Sequence, residues 1–126
     1  MTTKPVVLIV DDEAGVRESV RMVLKDSCDP VAVESGEAAL DWLATNRCDL
    51  VFLDVLMPGI DGTELCQALR GDAALSALPI ILLSAMGNRL EQVADQAGAT
   101  DCLAKPVSIA ALKGLVEKYL PRPATS

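Results

Sequence analysis

The sequence predicts an α/β fold: a doubly wound sheet of five parallel strands covered by five helices. Three observations carry that expectation. Five short apolar runs alternate strictly with five stretches of helical periodicity. The first, third and fourth runs are almost wholly apolar, as strands buried on both faces require. Alternating strand and helix units connect parallel neighbours by right-handed crossovers, which leaves helices on both faces of the sheet.

The first strand is read at Val6-Val7-Leu8-Ile9-Val10, and the stripe Val16, Val20, Val23 and Leu24 marks the helix behind it. Val31-Ala32-Val33 is the second strand, followed by Ala39, Leu40, Leu43 and Ala44 on a second helix. Leu50-Val51-Phe52-Leu53 is the third. After it come the turn signal Pro58-Gly59 and a helix with Leu65, Cys66 and Leu69, for which Asp61 and Glu64 have the spacing of a capping box. Ile80-Ile81-Leu82-Leu83 is the fourth, with Leu90, Val93, Ala94 and Ala97 on a helix that Gly98 ends. The weak run Cys102-Leu103-Ala104 is the fifth. Ser108 caps the last helix, whose stripe is Ile109, Leu112, Val116 and Tyr119, and Pro121 stops it. One domain is expected over residues 1–120, with 121–126 a tail or the start of a linker.

Composition narrows the chemistry. The 126 residues carry 18 acidic and 11 basic side chains, a formal charge of −7, and no histidine. Without imidazole, serine–histidine and cysteine–histidine catalysis, histidine zinc sites and a histidine phosphorelay within this chain are excluded. An acidic balance without a Lys/Arg cluster argues against direct nucleic-acid binding, since that affinity comes largely from neutralised phosphates. Proteins or cations are the expected partners. Cys28, Cys48, Cys66 and Cys102 form no CxxC pair and signal neither zinc nor redox chemistry. No apolar run approaches a membrane span, so no membrane insertion is expected, and a cytoplasmic protein with reduced thiols is the reading.

In such sheets ligands bind beyond the carboxyl ends of the strands. There the first strand ends in Asp11-Asp12-Glu13, the third in Asp54, the fourth in Ser84-Ala85 and the fifth in Lys105-Pro106. Taken singly, each has a plain structural role: Asp12 or Glu13 as the cap of the next helix, Asp54 as a turn former, Ser84 and Lys105 as solvated ends. Taken together they form a constellation. Carboxylates within about 4–6 Å of one another repel and call for a cation. Hard oxygen donors without imidazole or thiolate select Mg²⁺, or Mn²⁺, which also welcomes phosphate oxygens. Lys105 offers a point charge and Ser84 a donor, the two things a phosphoryl group seeks. With no histidine to act as nucleophile, a carboxylate would accept that group, and Asp54, single and on the central strand, is the better candidate.

Asp11-Asp12, Asp54 within Asp54-Val55-Leu56-Met57-Pro58-Gly59-Ile60-Asp61-Gly62, Ser84-Ala85 and Lys105-Pro106 resemble the receiver domain of two-component response regulators, over residues 4–120. The resemblance implies a flavodoxin-like strand order 2-1-3-4-5 and a signalling phosphoacceptor, not an enzyme in the ordinary sense. It implies that Asp54 takes a phosphoryl group from a phosphohistidine of a histidine kinase or phosphotransfer protein. It implies Mg²⁺ held by Asp12, Asp54 and the Leu56 carbonyl, with Asp11 acting through water. Lys105 would pair with a phosphoryl oxygen, Ser84 would turn inward toward another, Ala85 would leave room for that movement, and the Lys105-Pro106 peptide would be cis. The result would act on a downstream protein target or on an output domain outside this sequence.

Two positions depart from the family pattern. The aromatic that usually swings inward, three residues before the lysine, is here Cys102, read as a small packed hydrophobe, and the Phe after Lys-Pro is Val107. Switching is therefore expected to run through the loop after Ser84 and the face of the fourth helix, fifth strand and fifth helix. In the family resembled, the positions two residues beyond the phosphoacceptor and the hydroxyl tune how easily water reaches the phosphoryl group; here they are the apolar Leu56 and Met86, so the resemblance implies a long-lived phosphorylated form. Met57 is read as packing against the third helix, and Trp42 as covering an edge of the second. Two other readings of the same residues are a phosphorylation-independent pseudo-receiver and a phosphohydrolase of the haloacid dehalogenase type. The latter requires a second Asp where this chain has Leu56.

Overall fold

A computed structural model describes residues 4–120; the proposed tail 121–126 and the helix stop at Pro121 lie outside them. In chain order the elements are β1 (Val6–Val10), α1 (Ala14–Leu24), β2 (Asp29–Val33), α2 (Gly36–Leu43) and β3 (Leu50–Asp54). They continue with α3 (Gly62–Gly71), β4 (Ile80–Ser84), α4 (Leu90–Ala97), β5 (Asp101–Ala104) and α5 (Ile109–Tyr119). All strand pairs are parallel, in the order β2-β1-β3-β4-β5. That is the predicted doubly wound architecture.

Alternation along each strand divides the core in two. Leu8, Val10, Val51, Leu53, Ile80 and Leu82 face Ala39, Leu65, Leu69, Leu90 and Ala94 of α2, α3 and α4. Val7, Ile9, Leu50, Phe52, Ile81 and Leu83 face Val20, Leu24, Leu112 and Val116 of α1 and α5. Each fully buried branched side chain contributes about 1.5–3 kcal/mol by leaving water. Every residue of β3 and β4 is buried, whereas the edge strands β2 and β5 are half-exposed. That explains their weaker apolar runs, and Pro30 is tolerated because β2 has a free edge.

The predicted caps form. Asp61 accepts from the Glu64 amide at 2.9 Å while the Glu64 side chain accepts from the Asp61 amide at 3.2 Å, a complete capping box. Ser108 caps α5 as expected, and Ser35, which was not foreseen, caps α2. Gly98 closes α4 in the left-handed region, with φ +82°. At the far edge Arg70 donates to the carbonyls of Gly98 (2.6 Å), Leu78 (2.7 Å) and Ser76 (3.3 Å) and to Thr100 Oγ1 (3.1 Å). One guanidinium thus ties the end of α3 to the loops that lead into β4 and β5.

Two expectations are corrected. Glu13 occupies the N-cap position of α1, yet neither it nor Asp12 caps the helix with its side chain. Leu40 and Ala44 on α2 and Ile109 on α5, assigned to buried stripes, are exposed, Ile109 by 59%. These residues flank or precede the part of each helix that rests on the sheet, so the apolar pattern is wider than the surface that covers it. α4 is also preceded by a 3-10 turn at Gly87–Arg89, whose glycine has φ +73°. Met57 is buried in the α3-side core, and Trp42 packs half-buried against that core from the last turn of α2.

Candidate functional site

Register brings the carboxyl ends of four strands together. Val10 pairs with Leu53, Asp54 with Leu83, and Ser84 with Ala104, so the residues just beyond them share one rim. Asp11, fully buried, is held by its amide to the Val33 carbonyl at 3.2 Å, while Arg17 donates to the Asp11 carbonyl at 2.8 Å. Its Oδ1 accepts from the Glu13 amide at 2.9 Å. This turn replaces the expected side-chain cap and aims Asp11 across the sheet.

Asp54 is 3% exposed, and its Oδ1 accepts from the Leu56 amide at 3.3 Å. The loop beyond it is braced by Glu37, which accepts from the Ile60 amide at 3.3 Å. Ser84 is buried, with Oγ accepting from the Met86 amide at 3.2 Å, and Ala85 beside it is exposed. The Lys105-Pro106 peptide is cis. The Lys105 amide donates to the Ser84 carbonyl at 2.9 Å, which fixes where the lysine leaves the sheet.

From there the Lys105 ammonium reaches three carboxylates: Asp11 Oδ2 at 2.9 Å, Glu13 Oε1 at 3.1 Å and Asp54 Oδ2 at 3.3 Å. Burial alone would lower the lysine pKa, but the bonds to Asp11 and Glu13 outweigh it and the net shift is upward. Burial, then the charge of Asp11, pushes Asp54 up to about 6 despite Lys105. One ammonium does not neutralise this group of acids.

Asp11, Asp12, Glu13 and Asp54 each offer an oxygen within 4.8 Å of the others, and Asp12 and Glu13 are open to solvent. Asp11 Oδ2 is fully buried and has no partner among the described residues beyond the Lys105 ammonium at 2.9 Å, which it shares with Glu13 and Asp54. A buried oxygen left in that condition, in an all-carboxylate set open on one side, fits a hard divalent cation that keeps several waters. Cys102 on β5 is half-buried beside Leu82, and burial, Asp101 and Glu91 all push its thiol pKa up. It is a packed side chain and a poor nucleophile.

The rim therefore gathers Asp11, Asp12, Asp54, Ser84 and Lys105, as the strand ends predicted, with Leu56 and Ala85 in the adjoining loops. Glu13 as a partner of Lys105 was not foreseen, nor were Arg17 and Glu37 as braces, because side-chain reach between distant segments leaves no local signal. Gly62 did leave one. It stands in Pro58-Gly59-Ile60-Asp61-Gly62, and a Cβ there would overlap the Asp54 carbonyl oxygen.

An α/β sheet of this order with a carboxylate-lined rim defines a class, and comparison with known proteins places the chain in it. The family described as the response regulator receiver domain matches residues 7–117, and the chain belongs to that family. It is 42% identical over 118 residues to the response regulator MprA of Mycobacterium sp. (strain KMS), covering 92% of this chain and 50% of that protein. MprA of Mycobacterium tuberculosis (strain ATCC 25618 / H37Rv) is likewise 42% identical over 120 residues, again with 50% of its length covered. The chain thus spans half the length of these curated relatives.

Among solved structures, the chemotaxis response regulator CheY4 of Vibrio cholerae superimposes with a TM-score of 0.87 at 29% identity, over 94% of this chain and all of that one. A response regulator receiver protein from Pseudomonas putida gives 0.84 at 30% identity, over 94% and 99%. Fold, strand order and family agree with the reading of the sequence. Among the described residues no helix is long and apolar enough to cross a membrane.

Proposed function

We propose that this receiver domain is a phosphoacceptor of a two-component system, with Asp54 the residue that becomes phosphorylated. The observation that carries the reading is the setting of Asp54: a buried carboxylate on the central strand, 3.3 Å from Lys105 and within 4.8 Å of carboxylate oxygens of Asp11 and Asp12. An Asp54 carboxylate oxygen attacks the phosphorus of a partner's phosphohistidine. The new O–P bond forms as the P–N bond breaks, and its electron pair leaves with the imidazole, a group this chain lacks.

Asp12, Asp54 and the Leu56 carbonyl would hold Mg²⁺, or Mn²⁺, with Asp11 acting through a water. The cation supplies charge neutralisation for the transferring group. Lys105, released from the carboxylates, pairs with a phosphoryl oxygen. Ser84, whose Oγ now accepts from Met86, rotates to donate to another. Ala85 gives that rotation room. The exposed rim at Asp12 and Glu13 leaves the donor a way in.

The donor is a histidine kinase or phosphotransfer protein, and the phosphorylated face acts on a downstream protein or an output domain. Acid–base turnover of small phosphate esters is disfavoured because Leu56 stands where such an enzyme needs a carboxyl group. Incubation with Mg²⁺ and acetyl phosphate, followed by intact mass, tests the assignment. A single phosphoryl adduct is expected, absent in Asp54→Ala. No adduct on the wild type overturns the proposal in favour of a phosphorylation-independent binding module.

A further inference from the structure

Glu13 is the one carboxylate of the rim to which neither phosphoryl transfer nor cation binding, as described above, gives a task. Its side chain is 63% exposed, yet its Oε1 lies 3.1 Å from the ammonium of a lysine that is 13% exposed. Lys105 is shared among Asp11, Glu13 and Asp54, of which only Glu13 faces solvent. Glu13 and Lys105 also line a cleft of about 430 Å³ with Val16 and Pro106, which leaves the ammonium room on the Glu13 side.

We propose that Glu13 is a positioning residue whose carboxylate receives the Lys105 ammonium when a divalent cation takes its place beside Asp11 and Asp54. The inference rests on the cation-binding part of the proposed function. Cation binding at this rim is an exchange of charges. A cation that takes over the buried Oδ2 of Asp11 and shares Asp54 removes two of the three partners of Lys105 and repels it as well. Without a rim carboxylate the ammonium would return to water and lose its place. With Glu13, it moves from a bond shared three ways to an undivided one. It then stays beside the site, where a phosphoryl oxygen would arrive.

Two other roles for Glu13 make different predictions. A direct ligand would help the cation whether or not Lys105 is present, and a bystander would never matter. The test is calorimetric Mg²⁺ titration at 0.15 M salt of the wild type, Glu13→Gln, Lys105→Met and the double variant. Backbone amide spectra verify the fold of each. Glu13→Gln is expected to weaken Mg²⁺ binding about tenfold, or about 1.4 kcal/mol, when Lys105 is present. In the Lys105→Met background the same change is expected to be less than about threefold, the remainder of an unscreened rim charge.

A second readout follows Lys105 directly. Its side-chain ¹⁵N resonance is expected to shift on Mg²⁺ addition but to remain slow to exchange in the wild type, and to lose that protection in Glu13→Gln. Equal weakening in both backgrounds identifies a direct ligand and overturns the inference. So does an unchanged affinity in Glu13→Gln. Failure of the wild type to bind Mg²⁺ at all overturns the cation reading itself, a result distinct from either.

Discussion

The backbone of Gly62 packs directly on the carbonyl of Asp54. Its amide donates to the Val55 carbonyl at 2.9 Å, and a Cβ at residue 62 would overlap the Asp54 oxygen and stand 2.8 Å from the Val55 Cα. The obstacles are main-chain atoms of the central strand, which cannot rotate away. Gly62→Ala is therefore expected to destabilise the fold by about 3 kcal/mol through overpacking. Gly15→Ala is the control. Residue 15 lies inside α1, where an added Cβ would meet nothing within 4 Å, and the change should stabilise by about 0.5–1 kcal/mol through helix propensity. Chemical denaturation of the two variants reads both signs.

The elevated pKa of Asp54 makes stability depend on pH in a defined direction. Its folded-state value of about 6 lies above the unfolded value near 3.8, so the native state holds this proton more tightly. The associated stability is fully present below about pH 4 and is lost as pH rises through 6. Above that, the ionised carboxylate costs about 1–3 kcal/mol. Asp54→Asn is expected to exceed the wild type by that amount at pH 7.5 and to match it below pH 4. Denaturation midpoints at the two pH values check this, and added Mg²⁺ should narrow the gap.

Leu56, which is 62% exposed, and Met86, which is half-buried, stand two residues beyond Asp54 and Ser84. Neither side chain can orient a water by hydrogen bonding. The phosphorylated form is expected to last minutes or longer with Mg²⁺ present, and Leu56→Asn with Met86→Glu to shorten it about tenfold. Time-resolved intact mass measures both, and a wild-type half-life of seconds counts against the idea.

With Cys102 packed on β5 in place of an aromatic, a change at Ser84 is expected to travel through neighbouring backbone. The Ser84 carbonyl accepts from the Lys105 amide and its Oγ from Met86. A phosphate mimic such as beryllofluoride is expected to alter amide exchange across residues 84–107. Exchange unchanged in that stretch would remove this route.

The sequence made the interior strands and their terminal polar residues legible for one reason. A strand buried on both faces has no choice but a continuous apolar run, so Asp11, Asp54 and Ser84 stand out where β1, β3 and β4 end. At the edges that rule relaxes. β2 begins two residues before its apolar run, at Asp29 and Pro30, because a half-exposed strand accepts both. The exposed Leu40, Ala44 and Ile109 show the complementary limit: periodicity gives a helix an apolar face but not the width of the surface it meets. Glu13 and Lys105, 92 residues apart, are joined only by the fold.

The seat of Trp42 decides how the site can be watched. α2 runs back from the rim, and Trp42 lies in its last turn, with its carbonyl accepting from Asn46 at 2.8 Å. Tyr119, the last residue of α5, is tied at 2.6 Å to Asp101, the first of β5, also at the strands' starting edge. The only indole and the only phenol of the chain are thus stationed at the pole opposite the carboxylates. Ultraviolet fluorescence will follow unfolding faithfully and remain nearly silent to events at Asp54. An optical assay of this protein needs a fluorophore placed at the rim.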